Sequence, residues 1–275
     1  MKKTIHQWQV NQKNVYGITW HPDQDPEAII IFIHGIGEHV HRYDSWFERF
    51  IELGYAVISA DHHGHGQSEG KRGHFKNYCE VMDFVSFLFA KSDEHFPHIP
   101  KILYGHSMGG NIALNYLLRK SPKVKGAIIS APWIILQNPP AKWLVALARC
   151  LKPLYPSFSM SAGIKRSQLT ANEEELELYE KDDLVHGQIS LSTFLELDAA
   201  ALYVQRNIRT LTTKTLLLHG TTDPIASLEG SEWLATKNPN YVELKTFEGF
   251  LHEIHKEKER QKAFNEIKQW LSKIL

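Results

Sequence analysis

The chain has 275 residues, which fits one or two domains. Hydrophobic residues make up 43% of it and charged residues 23%, so the chain can bury a full core and is not disordered by composition. Lys and Arg number 31 and Asp and Glu also number 31, a balance that argues against a nucleic-acid partner bound through a broad basic surface.

Cysteine usage and the N-terminal segment indicate where the protein works. Cys79 and Cys150 are the two cysteines, and they form no CxxC pair, so we expect free thiols in a reducing compartment. No apolar region follows Met1, which argues against a secretory signal. The longest clean apolar runs, about six residues, fall short of the ~18 needed to span a bilayer. We therefore expect a cytoplasmic protein, peripheral at membranes at most.

The predicted elements alternate between strands and helices. Residues 4–20 are predicted to form two strands, and the β-branched run 28–33 is typical of a strand buried on both faces. Further strands are predicted at 55–60, 101–105, 124–130, 214–218 and 241–247, and helices at 42–53, 77–94, 107–118, between the last two strands, and at 254–275. This order predicts an α/β fold with a mostly parallel sheet and helices on both faces.

Residues 132–206 interrupt this alternation, because they contain no convincing buried strand. We interpret them as a mostly helical cap inserted into a core made of residues 1–131 and 207–275, above the sheet edge where α/β folds bind ligands. The large apolar side chains from Trp133 to Leu147 either cover the core or line an acyl tunnel that touches lipid interfaces. The acidic block at 173–183 is predicted to be a solvated helix face.

The sharpest chemical signal is Gly105-His106-Ser107-Met108-Gly109, between a predicted strand and a predicted helix. A serine on such a tight turn needs neighbours without side chains, so that its hydroxyl projects above the sheet. The helix that follows presents unpaired N–H groups to a developing oxyanion. This context makes Ser107 the predicted nucleophile.

An attacking serine needs a base, and the base needs an orienting acid. Asp223 follows one predicted buried strand and His252 follows the next, in the chain order typical of this kind of turn. Both side chains are therefore expected at the same sheet edge as Ser107. His255 is the weaker alternative as base, because the Gly249 turn is closer to His252.

The oxyanion hole is predicted from two backbone amides. One belongs to Met108, the residue after the nucleophile, and the other to the loop after an early strand, where we choose Ile36 in His34-Gly35-Ile36-Gly37. Glycines there let the backbone approach the substrate carbonyl.

A metal site is the competing interpretation of the histidines. His252 and His255 are three residues apart rather than the four of a zinc helix, and His62, His63 and His65 lie in a Gly-rich loop without a matching distant ligand set. We therefore expect no metal and assign these loop histidines to hydrogen bonds with backbone and carboxylates.

These motifs together resemble the monoacylglycerol lipase and lysophospholipase family of α/β-hydrolases. The resemblance rests on His34 to His39 with Arg42-Tyr43, on residues 61–70, on residues 105–110, on the Asp223 loop, and on His252 with His255. It spans nearly the whole chain outside 132–206. It implies an eight-stranded sheet, a mobile cap over an acyl channel, Ser107, Asp223 and His252 as the catalytic triad, Ile36 and Met108 as the oxyanion hole, and no cofactor.

The sequence thus predicts a serine hydrolase that cleaves carboxylic esters of lipids, foremost monoacylglycerol to glycerol and fatty acid. A lysophospholipase, small-ester carboxylesterase, thioesterase or peptidase on the same triad stays open, as does a receptor that binds a ligand without catalysis. A haloalkane dehalogenase is disfavoured, because its nucleophile would be an aspartate at the position of Ser107.

Overall fold

One eight-stranded sheet organises residues 2–275, the part of the chain that the computed structural model describes. The strands in chain order are β1 (Lys2–Val10), β2 (Lys13–His21), β3 (Ala28–Ile33), β4 (Tyr55–Ala60), β5 (Lys101–His106), β6 (Gly126–Ser130), β7 (Ser159–Ser161), β8 (Gln188–Ser190), β9 (Thr215–Gly220) and β10 (Val242–Phe247). The sheet order is β1-β2-β4-β3-β5-β6-β9-β10, and β7 pairs with β8 separately. Strand β2 is antiparallel to both neighbours, and the remaining pairings of the sheet are parallel, which confirms the predicted mostly parallel sheet.

Helices cover both faces of this sheet. They are α1 (Asp44–Glu52), α2 (Tyr78–His95), α3 (Met108–Lys120), α4 (Lys142–Leu151), α5 (Glu173–Glu180), α6 (Leu191–Asn207), α7 (Leu228–Lys237) and α8 (Gln261–Ile274). In β3, Ile29 and Ile31 pack with the apolar cluster of α2 and α3, while Ile30 and Phe32 pack with that of α1 and α8. This alternation is why the strand reads as one continuous apolar run. Within residues 2–275, no helix combines the length and apolar character that a bilayer crossing demands.

The last helix begins later than predicted, at Gln261 rather than at residue 254. Residues 254–260 form single turns and tertiary contacts instead of a helix: the Lys256 amide donates to the Glu253 carbonyl at 2.8 Å, and the Lys256 carbonyl accepts from Asn172 Nδ2 at 3.3 Å. The Glu253 amide donates to the Leu169 carbonyl at 2.7 Å, and the Leu251 amide donates to the Glu257 carboxylate at 3.0 Å. The loop that carries His252 is therefore docked against the segment 132–206.

The segment 132–206 contains α4, α5 and α6 together with the short pair β7–β8. The sequence did not predict that pair, because three residues are too few to show a strand pattern. Ile134 is buried in the core, but α4 has no buried residue and Trp143 is 68% exposed. The interpretation that apolar side chains cover the core therefore holds for Ile134 and is wrong for α4.

Candidate active site

Ser107 lies in the turn between β5 and α3, in a backbone conformation that side chains rarely adopt (φ 55°, ψ −116°). The flanking glycines make this turn possible. A β-carbon on Gly105 would meet the Gly109 carbonyl, and one on Gly109 would meet the carbonyls of Ile33 and His34. The need for residues without side chains, predicted from the sequence, is therefore explained by the backbone carbonyls that a β-carbon would meet.

The structure brings Ser107, His252 and Asp223 together, although 145 residues separate Ser107 from His252. The Ser107 hydroxyl donates to His252 Nε2 at 2.9 Å, and His252 Nδ1 donates to Asp223 Oδ2 at 2.7 Å. The three side chains are buried, with Ser107 at 6% exposure. This chain of contacts is the one required for a base to activate a hydroxyl and for an acid to orient the base.

The charges of Asp223 and His252 stabilise each other. Burial alone would raise the pKa of Asp223, but the neighbouring His252 and His219 hold that pKa well below its usual range. Burial alone would likewise lower the pKa of His252, but the Asp223 carboxylate outweighs it and the pKa of His252 is raised. The site thus favours an imidazole that accepts a proton next to a carboxylate that remains ionised.

Ile36 and Met108 flank this serine. Ile36 lines the cavity around Ser107, and Met108 is the first residue of α3. Within residues 2–275, neither backbone amide donates to another protein group, so both remain available to a ligand oxygen. The pair stays a predicted oxyanion hole.

His34 holds the peptide that carries the Ile36 amide. His34 Nδ1 donates to the Gly35 carbonyl at 2.8 Å, and His34 Nε2 accepts the His62 amide at 2.9 Å. Burial lowers the pKa of His34 to about 3, so the neutral ring can do both. Because the trans peptide is planar, fixing the Gly35 carbonyl aims the Ile36 N–H in the opposite direction.

A buried ion cluster supports the loop of residues 34–39 and the His252 loop together. Arg42 donates to Glu38 at 2.9 Å and, through both terminal nitrogens, to Glu253 at 2.7 and 2.8 Å. Glu38 in turn accepts from the Gly35 amide and from the Tyr43 hydroxyl. Burial raises the pKa of Glu38, while Arg42 outweighs burial at Glu253 and lowers its pKa. No role was predicted for these residues from the sequence, and the i,i+4 spacing of Glu38 and Arg42 was the available signal.

The acidic block is only partly a solvated face. Most of its carboxylates are exposed, but Glu175 accepts from Lys256 at 2.8 Å and from Arg260 at 2.9 Å. Asp182 likewise contacts His39 at 2.7 Å. The prediction is therefore wrong for Glu175, which ties the segment 132–206 to the residues after His252, and for Asp182, which ties it to the loop of residues 34–39.

The other histidines near the site lie away from the Ser107 hydroxyl. His255 is fully buried and stacks on Tyr43 with ring centres 4.4 Å apart. His65 Nδ1 contacts the His63 carbonyl at 3.1 Å, as expected for a loop histidine, whereas neither ring nitrogen of His63 has a protein partner in residues 2–275. Across the described residues, no group of three or more His, Cys, Asp or Glu side chains comes together to hold a metal ion.

One cavity lies at Ser107, and a second lies within the segment 132–206 and shares no lining residue with the first. The one around Ser107 measures only about 30 Å³ and is closed by Ile164, Leu169 and Tyr179 of the segment 132–206. An apolar groove of about 570 Å³ lies within that segment, lined by Pro140, Leu144, Val145, Leu147, Ala148, Leu151, Tyr155, Phe158, Met160, Leu191 and Phe194. We name it the α4 groove.

Comparison with known proteins places this geometry in a family. The serine aminopeptidase S33 family matches residues 24–259. A monoacylglycerol lipase from Mycolicibacterium smegmatis is 30% identical over 260 residues, covering 94% of this chain and 92% of that protein. The monoglyceride lipase of Rattus norvegicus is 33% identical over 264 residues, covering 92% of this chain and 85% of that protein.

A solved structure shows the same architecture. The monoacylglycerol lipase of Paleococcus ferrophilus superposes with a TM-score of 0.86 at 29% identity, covering 95% of this chain and 99% of that chain. The α/β-hydrolase fold predicted from the sequence is thereby confirmed.

Proposed function

This chain belongs to the serine aminopeptidase S33 family of α/β-hydrolases, and we propose that it cleaves monoacylglycerols to glycerol and free fatty acid. In its general chemistry it is a serine hydrolase of lipid esters. The observation that carries the proposal is the contact chain from Ser107 through His252 to Asp223, in a chain whose segment 132–206 also contains an apolar groove. We assign these three residues as the catalytic triad, and the amides of Ile36 and Met108 as the oxyanion hole.

In the proposed reaction, the Ser107 oxygen forms a bond to the ester carbonyl carbon while His252 Nε2 takes the hydroxyl proton. The carbonyl oxygen becomes an oxyanion that accepts from the amides of Ile36 and Met108. As the carbon–oxygen bond to glycerol breaks, His252 gives its proton to the leaving alkoxide. A water activated by His252 then hydrolyses the acyl-enzyme and releases the fatty acid.

The raised pKa of His252 supports its role as base, because the Asp223 carboxylate stabilises the imidazolium that forms in each half-reaction. The depressed pKa of Asp223 keeps its carboxylate ionised throughout. Asp223 therefore orients and stabilises His252 without taking its proton.

We propose that residues 132–206 act as a cap that admits the acyl chain. The α4 groove supplies apolar lining, whereas the cavity at Ser107 is too small for an ester. Substrate binding therefore requires Ile164, Leu169 or Tyr179 to move. Lipid chains match a groove lined almost entirely by aliphatic and aromatic side chains.

The same cap is proposed to touch membranes transiently, with anionic lipids preferred. Large apolar side chains are exposed on and after α4, among them Trp143 at 68% and Leu154 at 73%. Residues 141–170 carry no acidic side chain, and their basic ones are Lys142, Arg149, Lys152, Lys165 and Arg166. An apolar surface flanked by cations fits the interface of an anionic bilayer.

A chain-length series of monoacylglycerols tests the substrate, with p-nitrophenyl esters and a lysophospholipid in parallel. The expected result is turnover that favours medium and long monoacylglycerols and is abolished in Ser107→Ala. Ser272→Ala is the matched control, because its hydroxyl is exposed on α8. Turnover of short activated esters alone would refute the lipase proposal, and a preference for the lysophospholipid would make the enzyme a lysophospholipase.

A paired substitution tests the cap. Trp143→Ala with Leu147→Ala is expected to lower long-chain turnover and binding to vesicles that contain phosphatidylserine, while short-ester turnover stays near wild type. Ile5→Ala, which removes an exposed apolar side chain on β1, is the control. An equal fall in the turnover of long and short esters would show that α4 does not bind the acyl chain.

A further inference from the structure

A second histidine lies against the proposed catalytic acid. His219 is the penultimate residue of β9 and is fully buried. Its Nε2 is 3.3 Å from Asp223 Oδ2, the same oxygen that accepts from His252 Nδ1 at 2.7 Å. One carboxylate oxygen therefore has two imidazoles as neighbours, and the reaction proposed above uses only one of them.

The surroundings of His219 fix which nitrogen carries its proton. Nε2 also lies 3.0 Å from the Ala226 carbonyl, and Nδ1 lies 2.8 Å from the Ser231 hydroxyl. Carboxylate and carbonyl oxygens only accept hydrogen bonds, so Nε2 must be the donor. Nδ1 then accepts from Ser231, the single ring proton is donated to the Ala226 carbonyl, and Asp223 Oδ2 is a charged neighbour of the same nitrogen at 3.3 Å.

The rest of the Asp223 carboxylate is already occupied. Oδ1 accepts the backbone amides of Ile225 at 2.8 Å and Ala226 at 3.0 Å. The remaining freedom of the carboxylate is the placement of Oδ2, on which His252 depends for its orientation. The Nε2–H of His219 donates to the Ala226 carbonyl, and the same nitrogen lies 3.3 Å from Asp223 Oδ2, on a side chain held by Ser231 on α7.

We infer that His219 is a positioning residue that holds Asp223 Oδ2 in line with His252, an inference that rests on the proposed role of Asp223 as the acid of the triad. His219 touches neither the Ser107 hydroxyl nor the cavity around it. It acts through Asp223 in two ways. It restrains Oδ2, and its N–H offsets part of the carboxylate charge that His252 would otherwise feel in full.

The charge offset by the His219 N–H predicts a shift of the pH profile in one direction, which a merely structural residue would not produce. His219→Phe keeps an aromatic ring and removes the N–H, so more of the Asp223 charge acts on His252. The acid limb of kcat/KM is then expected to move to higher pH by about half a unit, about threefold in the proton dissociation constant. The other titratable groups facing His252, which are Glu38, His106, Glu253 and His255, are unchanged in this variant.

The test is the pH profile of p-nitrophenyl ester hydrolysis, normalised to active sites titrated with a fluorophosphonate. His219→Phe is expected to show the shifted limb and a plateau kcat lowered about tenfold. His219→Gln, which retains an N–H donor, is expected to restore both in part. A wild-type limb and plateau per active site in His219→Phe would overturn the inference, even if its thermal stability fell.

Wild-type protein provides a second test that does not depend on the variant folding. Histidine ¹⁵N NMR is expected to show the neutral ring of His219 as the Nε2–H tautomer. An Nδ1–H form would overturn the inference.

Asp223→Asn distinguishes a failure of the proposed triad from a failure of the proposed role of His219. If Asp223→Asn were fully active, the proposed triad itself would be wrong. If Asp223→Asn were impaired and His219→Phe were normal, only the role of His219 would be wrong.

Discussion

The buried cluster of Glu38, Arg42 and Glu253 gives the strongest stability prediction of this structure. Arg42 has 7% side-chain exposure and makes three hydrogen bonds of 2.7–2.9 Å to the two carboxylates. We expect Arg42→Met to leave both carboxylates buried without a cation, while the stem of the methionine still fills most of the space.

The expected cost is about 3–5 kcal/mol in the free energy of unfolding, because breaking a buried pair leaves an uncompensated charge. The cost should shrink on acidification. Arg42 lowers the pKa of Glu253 in the native protein, so the stability from that pair is present at neutral pH and is lost as pH falls through the native pKa. Without Arg42, protonation instead relieves the buried charge.

Urea unfolding followed by tryptophan fluorescence near pH 7.5 and near pH 5 measures both effects. Arg149→Met is the matched control, since Arg149 is 62% exposed and lies 3.4 Å from Asp198. An exposed pair of this kind contributes at most about 1 kcal/mol. Adding Glu38→Gln and Glu253→Gln to Arg42→Met should recover much of the loss. Equal stabilities of Arg42→Met and Arg149→Met near pH 7.5 would refute the reasoning.

Three further predictions follow from individual contacts. Burial lowers the pKa values of His34 and His106 to about 3 and that of His62 well below 6.5. The unfolded chain therefore gains protons first as pH falls below 6.5, and each such histidine should cost roughly 1 kcal/mol of stability at pH 5.5. Equal urea midpoints at pH 7.5 and 5.5 would contradict this. Gly109→Ala should lower the free energy of unfolding by about 1–3 kcal/mol and reduce turnover, because its β-carbon would meet the Ile33 and His34 carbonyls. Gly187→Ala is the control: a β-carbon there has no atom within 4 Å, so the melting temperature should not change. Equal melting temperatures of the two variants would argue against the contact at Gly109. The raised pKa of His252 predicts an acid limb of the kcat/KM profile above pH 6.5, and His255→Gln should leave the pH of that limb unchanged. A limb that moved or disappeared in His255→Gln would identify His255 as the base.

Local patterns in the sequence predicted the elements of the core well. The run 28–33 is a strand at those bounds because both of its faces are buried, and both Asp223 and His252 lie beyond the ends of parallel strands at one sheet edge. Because the carboxyl ends of parallel strands lie at one edge of a sheet, residues that follow those ends are close in space. Ser107, Asp223 and His252 could therefore be chosen before their distances were known.

Long-range pairings could not be predicted in this way. Arg42 pairs with Glu253 across 211 residues, and Glu175 reaches Lys256 across 81, and neither partner has a local periodicity that marks it. The same contacts explain why the last helix starts at Gln261 and why part of the acidic block is not solvated. The closed cavity at Ser107 likewise depends on how the segment 132–206 packs, which its sequence pattern does not specify.

The central claim is that Ser107 carries the acyl group during turnover of a monoacylglycerol. The direct measurement is peptide mass spectrometry of enzyme quenched during hydrolysis of monooleoylglycerol. We predict an oleoyl group on the peptide that contains Ser107, with none in Ser107→Ala and more in wild-type enzyme quenched earlier than in enzyme that has exhausted its substrate. Release of fatty acid by Ser107→Ala at the wild-type rate, or an acyl group on another residue, would contradict the account.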